Sequence, residues 1–521
     1  MSKARPIMLQ GTASHVGKSI LVAALCRIFK EHGLKVSPFK AQNMALNSFI
    51  TTDGGEIGRA QAFQAEAAGI PPSVDMNPIL LKPTSDMGSQ VIIHGKVYGN
   101  MKAKEYHRFK KEAAQYVMES YKKLAAKNHV IVIEGAGSPA EINLRENDIA
   151  NMGLAEMVDA PVILIGDIDR GGVFASLVGT MELLTPSEKH RVKGFIINKF
   201  RGDMELLKPG LQFLEDKTGL PVLGVVPYLK DIILPDEDGV VLEGQKISDF
   251  GFRISDLKSQ IANRKSQIAI SIIKLPRISN FTDFDPFRFE PDVSLYYFTD
   301  PVEMDYADAV IIPGSKNTLE DLEWLWKSGI ADAITNYAKQ GGRVIGICGG
   351  FQMLGKAVKD PYGTESNLGE IRGLGLLNVE TILEREKKTY QVEAMIDARC
   401  EMQDARVKGY EIHMGETVGG ERPFSIIIDR NSASVSIEDG AVSNDGKIWG
   451  TYIHGIFDND EFRTELLNEI RAKKRLRMQR IISFQDVKNK GIKELAEVVN
   501  KSIDTQKLYY TIGRFSDLSG C

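Results

Sequence analysis

The sequence predicts an α/β protein with two parallel-sheet domains, each built from strands that are followed by helices. Three observations lead to this fold class. A glycine-rich loop ending in Gly-Lys-Ser, residues 11–19, lies between an apolar strand and an amphipathic helix. A second series of strands begins near residue 268, after a polar and charged stretch. In that second series, a cysteine flanked by glycines, residues 346–350, lies between a strand and a helix.

Length and composition limit the class of protein. A chain of 521 residues is long enough for two or three domains. Its formal charge of −4 argues against a general nucleic-acid or membrane-surface binder. The four cysteines are widely spaced and form no C-x-x-C pair, which indicates neither a zinc site nor a disulfide framework. Without a signal-peptide pattern or an apolar run of roughly 18 residues, we expect a cytoplasmic protein.

Changes in composition along the chain predict the domain boundaries. We predict a first domain over residues 1–235, a linker over 236–265, a second domain over 266–462 and a charged helical tail over 463–521. The linker is polar and charged, as is usual for a segment that crosses between domains. The tail contains a basic run at residues 471–477, which is compatible either with a solvated helical face or with a docking surface.

Residues 11–19 have the pattern of a phosphate-binding loop. Backbone N–H groups of such a loop, together with the start of the following helix, face the phosphates. Lys18 would supply a mobile positive charge, and the Ser19 hydroxyl could bind Mg²⁺. Five residues, rather than the usual four, separate Gly11 from Gly17. The predicted nucleotide-binding residues are Gly11, Thr12, Gly17, Lys18, Ser19 and Asn198.

Polar residues at other strand ends are candidates for the metal and the substrate. Glu134 ends a buried strand, where an acid could hold Mg²⁺ or position water. Asp53 is either a second metal ligand or a plain turn aspartate, so the predicted metal set is Ser19, Asp53 and Glu134. Gln42 and Asn43, in an amide-rich loop, suit hydrogen bonds to an amide-bearing substrate, although an ordinary capped loop has the same composition.

Cys348 has the setting of an activated nucleophile. The glycines around it permit a sharp strand-to-helix turn, and the start of the helix favours negative charge on the sulfur. The predicted oxyanion donors are the N–H of Gly349 and a backbone N–H at Gly314, at the end of the preceding strand. The alternative is a buried core cysteine.

A cysteine nucleophile needs an imidazole to accept its proton and return it to the leaving group. His454 ends a strand and is followed by glycine, so it is the predicted base. His413 is expected to be structural or to face the substrate. The group that orients His454 is open, with Asp458 as a weak candidate.

Together these motifs resemble those of the cobyric acid synthase family over roughly residues 5–465. The residues that carry the resemblance are 11–19, 41–44, 134–143, 167–172, 346–350, 409–415 and 450–457. The longer phosphate loop is similar to that of dethiobiotin synthetases. The resemblance implies a dethiobiotin-synthetase-like P-loop domain followed by a class I glutamine amidotransferase-like domain. One departure from general class I enzymes is Ile456, which stands where their His-x-Glu pattern has the carboxylate.

The resemblance also implies an activity. The family uses ATP and Mg²⁺ to amidate the b, d, e and g carboxylates of adenosylcobyrinic acid a,c-diamide, and glutamine supplies the nitrogen. The expected partners are therefore small molecules, without nucleic acid or membrane. Two alternatives remain open, namely cobyrinic acid a,c-diamide synthase and a partitioning-type nucleotide switch. A peptidoglycan-type amidating enzyme, which usually divides the two functions between two chains, is disfavoured by the fused layout.

Overall fold

The computed structural model describes residues 4–85, 88–229, 268–397, 405–420 and 422–513. The chain divides into two compact units, each assembled from more than one segment. Unit 1 consists of Met1–Ala45, Gly55–Leu234 and Lys488–Cys521, and unit 2 of Leu46–Gly54 and Pro235–Val487. The predicted linker, residues 236–265, lies outside the described residues.

The part of the chain before residue 230 alternates between strands and helices. Its strands are β1 (Arg5–Gly11), β2 (Val36–Phe39), β3 (Gln42–Met44), β4 (Ser48–Ile50), β5 (Glu56–Gly58), β6 (Ile79–Ser85), β7 (Gly88–Ile93), β8 (Lys96–Lys102), β9 (Val130–Glu134), β10 (Val162–Asp167), β11 (Val192–Phe200) and β12 (Val222–Pro227). Its helices are α1 (Lys18–Glu31), α2 (Arg59–Ala68), α3 (Ala103–Ala125), α4 (Met152–Val158), α5 (Val173–Leu183), α6 (Pro186–Arg191) and α7 (Met204–Thr218).

The main sheet of unit 1 is parallel, in the strand order β12-β11-β10-β1-β9-β2. Its central strands are apolar and buried on both faces, as parallel strands covered by helices must be. Leu9 of β1 pairs with Glu134 of β9, so the carboxyl ends of these strands lie side by side. The loops that follow them meet at one edge of the sheet, which is where ligands bind in this architecture.

A smaller sheet in unit 1 has the order β3-β6-β7-β8, with β3 parallel to β6. The stretch expected to be an amide-rich loop is therefore partly a strand, because Gln42 pairs with Ile79 and Asn43 with Leu80. The backbone groups of these residues satisfy a β ladder, which the local composition did not reveal.

The part of the chain after residue 267 forms two further groups of strands. The strands are β13 (Ile268–Ile273), β14 (Ile278–Ser279), β15 (Val293–Phe298), β16 (Ala309–Ile312), β17 (Gly314–Ser315), β18 (Arg343–Ile347), β19 (Ala357–Lys359), β20 (Glu370–Arg372), β21 (Val379–Ile396), β22 (Arg406–Gly419), β23 (Ser425–Arg430), β24 (Ala433–Asp439), β25 (Ala441–Val442), β26 (Ile448–Thr451) and β27 (Ile453–His454). The helices are α8 (Thr318–Lys327), α9 (Ile330–Lys339), α10 (Gly349–Leu354), α11 (Asp460–Lys473), α12 (Phe484–Ser502) and α13 (Thr505–Thr511).

Unit 2 has a sheet in the order β15-β13-β16-β18-β26-β25, in which only β25 is antiparallel among the described strands. A second, mostly antiparallel sheet contains the long hairpin of β21 and β22, and β27 pairs with β22. An irregular 3-10 segment, Phe281–Phe289, buries three phenylalanines against the same core. The nucleophile strand β18 and the strand that ends at His454 are thus held in one unit.

The described part of the predicted charged tail, residues 463–513, contributes helices to both units. Helix α11 belongs to unit 2, where Arg463 and Arg471 are fully buried and both pair with Glu290. The apolar residues of α12 recur at helical spacing and are buried in the core of unit 1; they are Ile492, Leu495, Ala496 and Val499. The basic run at residues 471–477 is exposed apart from Arg471 and Leu476, as a solvated face would be, whereas the many charges of the stretch hide the apolar stripe of α12.

Candidate active site

Cys348 lies between β18 and α10, so the chain turns sharply at this residue. Its φ of 52° is in the left-handed region, which an L-residue rarely occupies. A side-chain carbon at Gly346 would stand 2.7 Å from the Gly350 backbone, and one at Gly350 would stand 1.9 Å from the carbonyl oxygen of Ile312. Only glycine fits at these two positions, which is the geometry of a nucleophile elbow.

The Cys348 thiol donates to the carbonyl oxygen of Ile412 at 3.5 Å, and its sulfur lies close enough to the imidazole of His454 to influence the pKa of that ring. His454 is 1% exposed, and its Nδ1 lies 2.6 Å from Oδ2 of Asp283. Burial opposes a charge on this ring, but the negative charges of Asp283 and Cys348 outweigh it and raise the pKa of His454 to about 10. The three side chains have the arrangement of a nucleophile, a proton carrier and an orienting carboxylate.

Asp283 supplies the carboxylate that the sequence left unassigned. It is buried in the irregular segment Phe281–Phe289, and its second oxygen accepts the N–H of Gly455 at 3.1 Å. Its two oxygens therefore hold both the ring of His454 and the backbone that follows it. The candidate Asp458 is wrong, since Nδ1 of His454 is engaged by Asp283. No periodicity or motif marks the segment that carries Asp283.

The two predicted oxyanion donors lie beside these groups. Gly349 directly follows Cys348, and a carbon added to it would be 3.0 Å from the backbone nitrogen of Ser315. A carbon added to Gly314 would be 3.2 Å from Cε1 of His454. The structure therefore brings β17 and the start of α10 together around the reactive side chains. The role of these N–H groups stays a prediction.

His413 is buried against Tyr452. Its ring stacks on Tyr452 with centroids 3.8 Å apart, and its Nδ1 lies 2.7 Å from the carbonyl oxygen of Gly415. The Tyr452 hydroxyl accepts a hydrogen bond from Gln352 of α10 at 3.1 Å. These contacts support a structural role for His413, and the substrate-facing alternative stays a prediction.

The phosphate-binding loop of unit 1 closes around Lys18. The ammonium of this buried side chain donates to the carbonyl oxygens of Ala13 at 2.9 Å and Gly137 at 3.0 Å. The side-chain amide of Asn198, from β11, donates to the carbonyl oxygen of Val16 at 2.8 Å. Asn198 therefore supports the loop, and its contact with a nucleotide stays a prediction.

The first residues of the same loop are fixed by the neighbouring strand. The N–H of Thr12 donates to the carbonyl oxygen of Ile165 in β10 at 3.0 Å. A carbon added to Gly11 would stand 2.9 Å from Nζ of Lys18, and one added to Gly17 would stand 2.2 Å from the Asn198 amide. Both glycines are thus required for the backbone and the lysine to pack closely.

Glu134 is the centre of a polar cluster at the end of β9. Its Oε1 accepts from Ser19 Oγ at 2.7 Å and from Lys40 Nζ at 2.6 Å, and its Oε2 accepts from Gln64 Nε2 at 2.6 Å. Burial opposes the charge of this carboxylate, but the Lys40 ammonium outweighs it and holds the pKa of Glu134 below its usual range. Lys40 and Gln64 were missed in the sequence, although Lys40 directly follows the strand β2.

The three predicted metal ligands do not all belong to the same unit. Ser19 and Glu134 are in contact in unit 1, and a hydroxyl with a buried carboxylate fits Mg²⁺, which takes few protein oxygens and completes its shell with phosphates. Asp53 belongs to unit 2, where its carboxylate accepts from the Thr51 hydroxyl. Among the described residues, no group of three or more His, Cys, Asp or Glu side chains could hold a metal ion.

The predicted substrate amides are engaged with protein groups. The Gln42 carbonyl oxygen accepts from the Tyr106 hydroxyl at 2.8 Å, and the Asn43 amide nitrogen donates to the side-chain carbonyl of Gln61 at 3.0 Å. In the part of the chain that the structure describes, no helix is long and apolar enough to cross a membrane.

Comparison with known proteins finds two matched domains in this chain. Residues 7–241 match the family described as "CobQ/CobB/MinD/ParA nucleotide binding domain", and residues 269–462 match the "CobB/CobQ-like glutamine amidotransferase domain". A cobyric acid synthase of Thermoanaerobacter sp. is 51% identical over 98% of this chain and 99% of its own length. One from Clostridium tetani is 53% identical over 98% of this chain and 100% of its own length.

The fold and the matched domains define a glutamine-dependent amidating ligase. At this level of identity over nearly the whole chain, the protein belongs to the cobyric acid synthase family, whose members act in cobalamin biosynthesis. The predicted fold class and the family resemblance are confirmed. The partitioning-type switch is excluded, because such a switch would not carry a glutamine amidotransferase domain.

Proposed function

We propose that this chain amidates the b, d, e and g carboxylates of adenosylcobyrinic acid a,c-diamide, giving adenosylcobyric acid, with ATP as the energy source and glutamine as the nitrogen donor. The family supports the overall reaction. The observation that carries the chemistry is the contact of Cys348, His454 and Asp283 in a chain that also holds a Gly-Lys-Ser loop. We expect these reactions to take place in the cytoplasm.

Glutamine hydrolysis would use the residues of unit 2. The Cys348 sulfur attacks the amide carbon of glutamine, and His454 carries the proton to the leaving ammonia. Asp283 keeps the imidazole oriented and stabilises its charged form. The N–H groups at Gly314 and Gly349 would receive the negative charge that develops on the amide oxygen. Water then releases glutamate from the thioester on Cys348.

Activation of the carboxylate would use the residues of unit 1. ATP transfers its terminal phosphoryl group to a corrin carboxylate, and ammonia then displaces phosphate from the acyl phosphate. Lys18 and Lys40 place positive charge at the site, where negative charge spreads over the transferring group. Ser19 and Glu134 would hold Mg²⁺, which would neutralise charge on the phosphates. The acyl phosphate must also be kept from bulk water.

A substrate comparison tests the proposal. The purified protein is mixed with ATP, glutamine and either the a,c-diamide or cobyrinic acid itself, and ADP and glutamate are measured together. We expect both products to form with the a,c-diamide and four amide groups to be gained by mass spectrometry. Formation of both products only with cobyrinic acid would instead identify an a,c-diamide synthase.

A further inference from the structure

The segment Leu46–Gly54 belongs to unit 2, although the residues directly before and after it belong to unit 1. Both of its ends are fastened within unit 1. The N–H of Ala45 donates to the carbonyl oxygen of Leu81 at 3.1 Å, and Glu56 forms a buried ion pair with Lys82 at 2.8 Å. Leu81 and Lys82 are neighbours on β6, so one strand anchors both ends of the segment.

The middle of this segment is bonded to the residues that precede Asp283. The side-chain oxygen of Asn47 accepts the N–H of Phe281 at 3.2 Å. The N–H of Ser48 donates to the side-chain oxygen of Asn280 at 2.9 Å. Asn280 has a φ of 53°, and its amide nitrogen lies 3.4 Å from Nδ1 of His454. These contacts fix the backbone that places the Asp283 carboxylate on the imidazole.

The same segment also contacts Tyr410, which packs on the face of the His454 ring. Tyr410 stacks on this ring with centroids 5.3 Å apart and planes 17° from parallel. The Tyr410 hydroxyl donates to the carbonyl oxygen of Ser48 at 3.2 Å. Ile50 is fully buried in a small cluster with Tyr410 and Ile412. The segment therefore supports both the carboxylate partner of His454 and the aromatic ring that packs against it.

We propose that Leu46–Gly54 is a positioning element for glutamine hydrolysis, through which the Asp283–His454 pair responds to ligands bound by the nucleotide-binding half of the chain. The proposal rests on the glutamine hydrolysis proposed above. The link is the chain itself, because β3 leads directly into the segment and β6 holds both of its ends. A ligand that favours one arrangement of these strands would change the placement of the pair.

Point variants test the positioning role. Asn47→Ala removes the acceptor for the Phe281 N–H, and a small misplacement of reacting groups lowers rates by about 10- to 100-fold. We expect that loss in kcat for glutamate release, a smaller change in KM, and unchanged amidation from ammonium. Asn47→Asp, which keeps an acceptor oxygen, should restore most of the rate. Thr389→Val is the matched control, because it removes a hydrogen bond to Gly54 at the other end of the segment.

An insertion tests the response to ligands. Two glycines placed after Ala45 lengthen the chain between β3 and the segment and leave its side chains unchanged. We expect ATP and the corrin acceptor to raise glutamate release by the wild type, and the insertion variant to keep its basal rate but lose this rise. A wild type without any rise, or a variant that keeps it in full, would overturn the proposal.

The outcomes also separate this proposal from the proposed function. If Cys348→Ala still hydrolysed glutamine, the assignment of the nucleophile would fail, whatever the segment does. Suppose instead that Cys348→Ala were inactive with glutamine and that Asn47→Ala released glutamate at the same rate as Thr389→Val. Only the positioning role would then fail. Tyr410→Phe removes a single hydroxyl and keeps the ring on His454. It replaces Asn47→Ala if that variant does not fold. A rate of glutamate release equal to that of Thr389→Val would count against the proposal in the same way.

Discussion

The nucleotide site of unit 1 and the glutamine site of unit 2 are built in different ways. In unit 1, the polar groups follow the ends of adjacent parallel strands, since residues 11–19 follow β1, Lys40 follows β2 and Glu134 ends β9. The topology alone therefore brings them to one edge of the sheet. Because each of these groups lies at the end of a strand, the position of the strand determines the position of the group.

In unit 2, the reactive groups come from unrelated kinds of structure. Cys348 lies at a strand-to-helix turn, His454 ends a two-residue strand, and Asp283 is in a 3-10 segment 171 residues away from His454. The packing of Phe281–Phe289, rather than a strand end, places the carboxylate. The comparison indicates that the glutamine site depends more on distant supporting contacts, whereas the nucleotide site depends mainly on its own sheet.

The largest expected effect is that of removing the nucleophile. Cys348→Ala should lower glutamine-dependent amidation by about 10⁵- to 10⁶-fold, the usual scale for a lost nucleophile. Amidation from concentrated ammonium salt at alkaline pH should remain, because the acyl phosphate can accept NH₃ from any source. Product formation with the corrin acceptor and ATP is compared for the two nitrogen donors. A folded variant that uses neither donor would show that unit 1 needs an intact glutamine site.

The second effect tests the distant support for His454. Asp283→Asn keeps the shape of the side chain but removes its charge, and we expect glutamate release to fall by about 10³- to 10⁴-fold. The pKa of about 10 for His454 depends on this carboxylate, so it should fall in the variant. The proton that His454 donates to ammonia would then be lost at lower pH. In the pH profile of kcat for glutamate release, the alkaline limb should therefore move from near pH 10 toward neutrality. An unchanged alkaline limb would exclude this role of Asp283.

The same substitution has a consequence for stability. Because the pKa of His454 is raised in the folded protein, its protonated form stabilises the fold below the usual histidine pKa of 6.5. That contribution is lost as pH rises from about 6.5 to about 10. Denaturant unfolding across this range should show a smaller loss for Asp283→Asn than for the wild type.

The two sites also differ in how far the sequence could predict them. Lys18, Ser19, Glu134 and Cys348 were accessible because each lies in a short motif at a strand end, where local pattern implies position. Lys40 had the same signal, since it directly follows β2. Asp283 had none, because a 3-10 segment has no long periodicity and its partner is remote in sequence. The segment Leu46–Gly54 was equally hidden, since its role depends on tertiary contacts alone.

The third effect tests the independence of unit 1. Lys18→Ala should lower amidation from either nitrogen donor by about 10²- to 10³-fold or more, since a positive charge on the transferring phosphoryl group is lost. Basal glutamate release should stay, because Cys348, His454 and Asp283 lie in unit 2. Glutamate is measured in the absence of ATP turnover. Loss of basal release in a folded variant would show that the two sites are not separable.

The smallest effect concerns the polar cluster around Glu134. Glu134→Gln keeps the side-chain shape but removes the negative charge to which Ser19 and Lys40 donate hydrogen bonds. We expect ATP turnover to fall by about 10- to 100-fold, with a smaller change in ATP affinity. Charge at this position matters most while the phosphoryl group is transferred, when the metal must neutralise developing charge. A Mg²⁺ titration of both quantities checks this, and equal losses in binding and turnover would contradict it.

Acid unfolding separates a catalytic role of Glu134 from a structural one. Its pKa is held below the usual value of 4.5 in the fold, so its charge stabilises the protein above that pH and the contribution is lost as pH falls. Glu134→Gln should therefore be less stable than the wild type at neutral pH, and the difference should shrink in acid. Gln64→Leu is a useful control, because it removes one hydrogen bond to the same carboxylate and leaves the charge in place. If Gln64→Leu lowered turnover as much as Glu134→Gln, the geometry of the cluster rather than its charge would determine the rate.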